Sequence, residues 1–181
     1  YTTLAEKLVE MTGGMYKIYF SNSGAEAYEG SMMLAKYVTH RPVIISMMNG
    51  FHGRTMATAT ITTSNAGYRK YYEPMMPSVY QVEYPYLYRT PYKMEDGKCP
   101  KEYMTQFDNL FKHVVDPSMV AGIIMEPIQG EGGYVVPPIE WVKYVREVCD
   151  KHGIMLIFDE VQSGFGRRGN LYAWETMGVG P

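Results

Sequence analysis

Cysteine is scarce. Of 181 residues only Cys99 and Cys149 carry a thiol, too few and too far apart for a disulfide framework or a cysteine-rich metal site. That usage suits a reducing compartment, and cytoplasm is the expected location. A charge excess is also missing: 17 basic against 19 acidic residues leave a net charge of -2, which gives a polyanion nothing to grip, so nucleic acid is not an expected partner. No stretch reaches about 18 consecutive apolar residues, and the opening residues lack a basic segment followed by an apolar one, so neither a membrane span nor a signal peptide is expected.

Several catalytic signatures are absent too. There is no G-x-x-x-x-G-K-[ST] loop, no G-x-S-x-G elbow and no pair of histidines at helical ligand spacing, which leaves P-loop ATP hydrolysis, serine hydrolysis and metal hydrolysis without support. His40, His52, His113 and His152 are scattered, and no metal site is expected. What is abundant is apolar: 46% of the residues are hydrophobic, enough for one domain with a substantial core. The 15 methionines and 17 tyrosines read as compositional bias and adaptable core filling. The chain opens on Tyr1 and closes in a glycine-rich loop at Pro181, so part of a domain is the expectation.

The order of elements follows from periodicity. Leu4, Leu8, Val9 and Met11 share a helical face that Gly13-Gly14 ends. Lys17 to Phe20 alternates as a short strand would, and Ser23 with Glu26 three residues later forms a capping box that starts a helix running to Thr39. Pro42 to Met48 is an apolar strand closed by Asn49-Gly50. The tyrosine- and proline-rich stretch from Tyr68 to Tyr92 predicts a long irregular excursion with a brief strand near Ser78 to Val82. Further on come a helix carrying Phe107, Leu110, Phe111 and Val114, a strand Val120 to Met125, a helix Glu140 to His152 capped by Gly153, and a strand Ile154 to Phe158. A strand, a crossover helix and a second strand make a parallel βαβ unit, so Glu126 and Asp159, which follow the two strands, should emerge at one edge of the sheet. Ligands of open α/β sheets bind at that edge.

Four segments carry candidate chemistry. The turn Ser23-Gly24-Ala25 leaves backbone N-H groups free at a helix start, which serves either as an ordinary cap or as a phosphate cradle. Asp159 ends an apolar strand, where a carboxylate is costly without a cationic partner; a protonated pyridine nitrogen or a nearby arginine would answer. At Phe51-His52-Gly53-Arg54 an aromatic ring could cover a flat ligand while the arginine grips a carboxylate, against the plainer readings of a core Phe and a solvated Arg. Gly164-Phe165-Gly166-Arg167-Arg168-Gly169 matches G-x-G-x-x-G, yet five residues separate it from the strand and no helix opens within it, which is the wrong setting for a dinucleotide.

Taken together, Ser21-Asn22-Ser23-Gly24-Ala25-Glu26-Ala27, Gly50-Phe51-His52-Gly53-Arg54-Thr55, Glu126-Pro127-Ile128-Gln129-Gly130-Glu131-Gly132-Gly133 and Phe158-Asp159-Glu160-Val161-Gln162-Ser163-Gly164-Phe165-Gly166-Arg167 resemble class III pyridoxal-phosphate-dependent aminotransferases, most of all those acting on 4-aminobutyrate. The resemblance implies an α/β chain: residues 1–181 would be an incomplete large domain of a fold type I transferase, with a mixed, mainly parallel sheet and helices on both faces. It implies pyridoxal 5'-phosphate as cofactor, an amine or amino acid and a 2-oxo acid as substrates, and a homodimer. Ser23, Gly24 and Ala25 would hold the cofactor phosphate, Phe51 and Val161 would cover its two faces, Asp159 would pair with its ring nitrogen, Gln162 would bond its ring hydroxyl, and Glu126 would support that region. Arg54 and Glu131 match positions that handle substrate carboxylates. The small domain and the lysine that binds the cofactor covalently would lie beyond Pro181, leaving these residues inert by themselves. The tyrosine-rich stretch resembles a branch that includes amino-acid racemases and epimerases, so racemisation is the alternative activity; a non-catalytic or dinucleotide-binding module is the other.

Overall fold

Four short apolar segments form the centre of the molecule: β1 (Val43–Met47), β2 (Val79–Val82), β3 (Val120–Met125) and β4 (Met155–Phe158). In the computed structural model, which describes residues 1–14 and 16–181, they hydrogen-bond in the order β2-β1-β3-β4, every neighbouring pair parallel. β1 and β3 lie inside the sheet and are buried along their whole length, which is why they read as unbroken apolar runs.

Side chains alternate between two cores. Ile45, Met47, Ile123 and Met125 face one layer, while Ile44 and Ile124 face the other. The first layer is covered by α4 (Lys101–His113) and α5 (Ile139–His152), which contribute Phe107, Trp141 and Val145. Tyr84 meets Trp141 edge to face there, ring centroids 5.2 Å apart. The second layer is covered by α2 (Gly24–Thr39) and α3 (Met56–Ile61), through Tyr28, Met32, Ala35 and Ile61. Arg41 ties the amino-terminal edge together by donating to the carbonyls of Val120, His152 and Gly153. Two further helices, α1 (Thr2–Met11) and α6 (Ala173–Met177), lie towards the ends of the chain. No helix among the described residues is long and apolar enough to cross a membrane.

The β3-α5-β4 crossover takes the predicted form, and Gly153 ends α5 in the left-handed conformation at φ 62°. One expectation needs correction. Lys17 to Phe20 forms no strand: among the described residues no neighbour pairs with it, and Tyr19 is 82% exposed. Alternation alone does not make a strand without a ladder to join. Conversely, Met56–Ile61 is helical despite its threonines, because Thr55 and Thr58 bond each other's backbone and side chain as a capping box without an acid.

Candidate active site at the carboxyl edge of the sheet

All four sequence segments converge where β1, β3 and β4 end. The N-terminus of α2 rests against the segment after β4: a methyl group placed on Gly24 would lie 3.3 Å from Val161 Cγ2. Gly53, at φ +125°, turns the loop after β1 onto the same helix start, so closely that a Cβ there would stand 2.8 Å from both Ala25 Cβ and Thr58 Oγ1. The loop after β3 meets the loop after β4 at Gly130, where an added Cβ would overlap the amide of Gln162.

Ser23 accepts from Glu26 N-H at 3.2 Å, and Glu26 reaches back to Asn22 N-H. This arrangement leaves the N-H groups of Gly24 and Ala25 without acceptors inside the helix. Glu126 is buried and both of its carboxylate oxygens accept from backbone: Oε1 from Phe51 N-H at 3.0 Å and Oε2 from Gly130 N-H at 2.7 Å. It thereby clamps the β1 loop to the β3 loop. Burial raises its pKa, and the two N-H donors pull partly the other way.

A buried acid with a raised pKa contributes most to stability below its unfolded pKa and loses that contribution as pH rises through the folded value. Glu126→Gln removes this dependence and turns an NH2 towards one of the two N-H donors, an expected cost of about 1–3 kcal/mol. Urea unfolding of the whole protein should therefore show a larger loss from Glu126→Gln at pH 5 than at pH 7. A loss that grows with pH would contradict this assignment.

Asp159 is the most enclosed carboxylate of the group after Glu126, at 5% exposure. Its partner is His52, whose Nδ1 lies 2.8 Å from Oδ2, while Oδ1 accepts from Val161 N-H at 3.0 Å. His52 is itself buried and its Nε2 has no hydrogen-bond partner among the described residues, which favours the tautomer with its proton on Nδ1, donating to Asp159. Each oxygen of Asp159 keeps further accepting capacity for a ligand. Tyr28 packs edge to face on His52 at 5.2 Å; burial, and then the Asp159 charge, push its hydroxyl pKa up and keep it protonated.

Phe51 is half-buried and Val161 is 70% exposed. Arg54 and Glu131 are exposed, and neither takes part in an ion pair among the described residues. Beside Val161 and Gln162 a cleft of about 620 Å³ opens, also bordered by Gly130, Tyr134 and Arg167. The Gly164–Gly169 run is a succession of turns in which Gly164 packs on Glu160, and no helix begins inside it. That is not the strand-turn-helix setting a dinucleotide needs.

Sequence reasoning passed over His52, Tyr28 and Tyr68. His52 lies 107 residues from Asp159, and only the unexplained need of Asp159 for a partner hinted at it. Tyr68 donates to Glu131 at 2.6 Å and meets the Phe51 ring at 5.2 Å.

Comparisons with known proteins bear on this geometry. The family model for aminotransferase class-III matches residues 1–181. A probable 4-aminobutyrate aminotransferase of Bacillus subtilis is 39% identical over 183 residues, covering 100% of this chain and 42% of that protein. An alanine/serine racemase of Pyrococcus horikoshii is 35% identical, covering 98% of this chain and 39% of its own length. Among solved structures, an amine transaminase from an uncultivated Pseudomonas species in the PLP-bound form superposes with a TM-score of 0.88 at 32% identity, over 99% of this chain and 42% of that one. The chain thus spans about two fifths of the length of the proteins it matches.

Proposed function

Because the chain belongs to the class III aminotransferase family, we propose that it supplies most of the cofactor-binding face of an enzyme that uses pyridoxal 5'-phosphate to move an amino group from an amine or amino acid to a 2-oxo acid. The observation that carries this reading is Asp159, buried at the carboxyl edge of the sheet, held by His52 at 2.8 Å and adjoining the N-terminus of α2 through Val161.

The residues fit the cofactor. The free N-H groups of Gly24 and Ala25, with Ser23, would bind its phosphate. Asp159 would hold a proton on the ring nitrogen, and the 2.8 Å contact with His52 keeps Asp159 oriented for that task. Phe51 and Val161 would cover the ring and exclude water, Gln162 would orient the ring hydroxyl, and Glu126 fixes the loops that carry Phe51 and Gly130. When bound, the cofactor supplies an electron sink for a substrate carbanion.

Arg54 would take the carboxylate of an acidic amine such as 4-aminobutyrate, with Glu131 beside it. The similarity to a 4-aminobutyrate aminotransferase supports this choice. Assembly as a homodimer is supported by the exposed apolar side chains Met33, Leu34, Tyr37 and Val38 on α2, and sedimentation of the whole protein as a monomer would remove it. The two free cysteines accord with a cytoplasmic setting.

Racemisation is the second reading, favoured by the similarity to an alanine/serine racemase. Incubating the whole protein with 4-aminobutyrate and 2-oxoglutarate separates the two. Glutamate formation whose KM for 4-aminobutyrate rises at least about tenfold in Arg54→Ala is the expected result. Loss of optical activity from an amino acid, with no amino transfer, would establish the racemase instead.

A further inference from the structure

Thr62 follows α3 and belongs to none of the four segments, yet it is fully buried and its hydroxyl bonds one of them twice. The oxygen accepts from His52 N-H at 2.9 Å, and the O-H donates to the Gly53 carbonyl at 3.1 Å. The next two residues hold the start of the same loop: Thr63 N-H and Ser64 N-H both donate to the Gly50 carbonyl, at 2.8 and 3.1 Å. The base from which they reach is firm. Thr62 N-H closes the last turn of α3 onto the Thr58 carbonyl at 2.9 Å, and Ile61 beside it is fully buried in the second core.

Gly50 to Thr55 belongs to no helix or strand, so its backbone groups must find partners elsewhere, and those partners set its shape. His52 N-H lies in the peptide that joins Phe51 to His52, and the Gly53 carbonyl lies in the peptide that joins Gly53 to Arg54. One hydroxyl therefore orients both the peptide leading out of Phe51 and the peptide leading into Arg54. Between them stands the His52 side chain that reaches Asp159. A hydroxyl can donate and accept at once, which no apolar side chain of that size can do. We infer that Thr62 is a positioning residue for the cofactor face: buried behind the loop, it sets where Phe51, His52 and Arg54 stand and acts on a ligand only through them. This rests on the function proposed above and adds the residue that shapes one wall of its site.

Thr62→Val is the informative change, because it keeps the branched shape and leaves His52 N-H and the Gly53 carbonyl without their buried partner. In the whole protein freed of cofactor, the His52 amide should exchange with deuterium about tenfold faster than in wild type. Titration of that protein with pyridoxal phosphate should give a Kd about tenfold higher, the equivalent of one net hydrogen bond. Thr62→Ser, which restores the hydroxyl, should restore both. Ile61→Val loosens the same short helix through a cavity and leaves the hydroxyl in place; it should lower Tm and leave the Kd as it was. A wild-type Kd in Thr62→Val, a loss that serine does not rescue, or an equal rise in Ile61→Val would overturn the inference. A wild-type protein that binds no pyridoxal phosphate removes the function proposed above, whereas exchange at His52, faster in Thr62→Val or unchanged, still decides the role of Thr62.

Discussion

Asp159→Asn is expected to lower the transamination rate of the whole protein by roughly 10²–10³-fold, the usual effect of removing one preorganised charge from a reacting centre. An amide is close to the carboxylate in shape but has one acceptor oxygen, so of His52 Nδ1 and Val161 N-H, at 2.8 and 3.0 Å, one keeps its acceptor and the other meets an NH2. What would also be lost is the negative charge proposed to keep a proton on the cofactor ring nitrogen. The loss should therefore fall on kcat, with the far-ultraviolet circular dichroism unchanged. Replacing His52 should do less, because it acts on the reaction only through Asp159. Equal and complete loss of folded protein in both variants would mean that the pair is structural.

Gly53→Ala should be a strongly disruptive methyl addition near the site. At φ +125° a side chain is strained whatever the space around it, and here the new Cβ would stand 2.8 Å from Ala25 Cβ and Thr58 Oγ1. Strain of that kind costs about 1–3 kcal/mol, and overpacking costs a similar amount. Relief requires the loop after β1 to lift from the helix start. The expected outcome is a melting temperature lower by several degrees together with at least about tenfold weaker cofactor binding. Gly166, also at positive φ but with nothing within 4 Å, is the control: alanine there should cost stability through strain alone and leave cofactor binding intact.

The parts of the fold that the sequence predicts well are those with a strong local signal. Val120 to Met125 is buried throughout, and the residues of α5 that face the core, Trp141, Val145, Val148 and Cys149, repeat at helical spacing. Elements decided by partners were harder to read. Lys17 to Phe20 has the composition of a strand and no ladder to join, while Met56–Ile61 has β-branched residues and is nonetheless a helix packed beneath the sheet. The carboxyl-edge placement of Glu126 and Asp159 followed from the βαβ rule, because parallel strands must end on one side. The bonds that orient them did not. His52 reaches Asp159 across 107 positions and Tyr68 reaches Glu131 across 63, distances over which no periodicity or spacing carries information. The G-x-G-x-x-G run shows the opposite failure: its letters match a nucleotide loop, but its backbone is a chain of turns.

The central claim is that these loops form the binding face for pyridoxal 5'-phosphate in an enzyme that transfers amino groups. The most direct test is the absorbance of the whole protein before and after addition of an amino donor with no 2-oxo acid present. The expected result is a visible band from bound pyridoxal phosphate that gives way to the ultraviolet band of pyridoxamine phosphate, and no visible band in a protein carrying Gly53→Ala at low cofactor concentration. A folded wild-type protein with no cofactor band at saturating pyridoxal phosphate, or a band that stays unchanged with every donor, would contradict it.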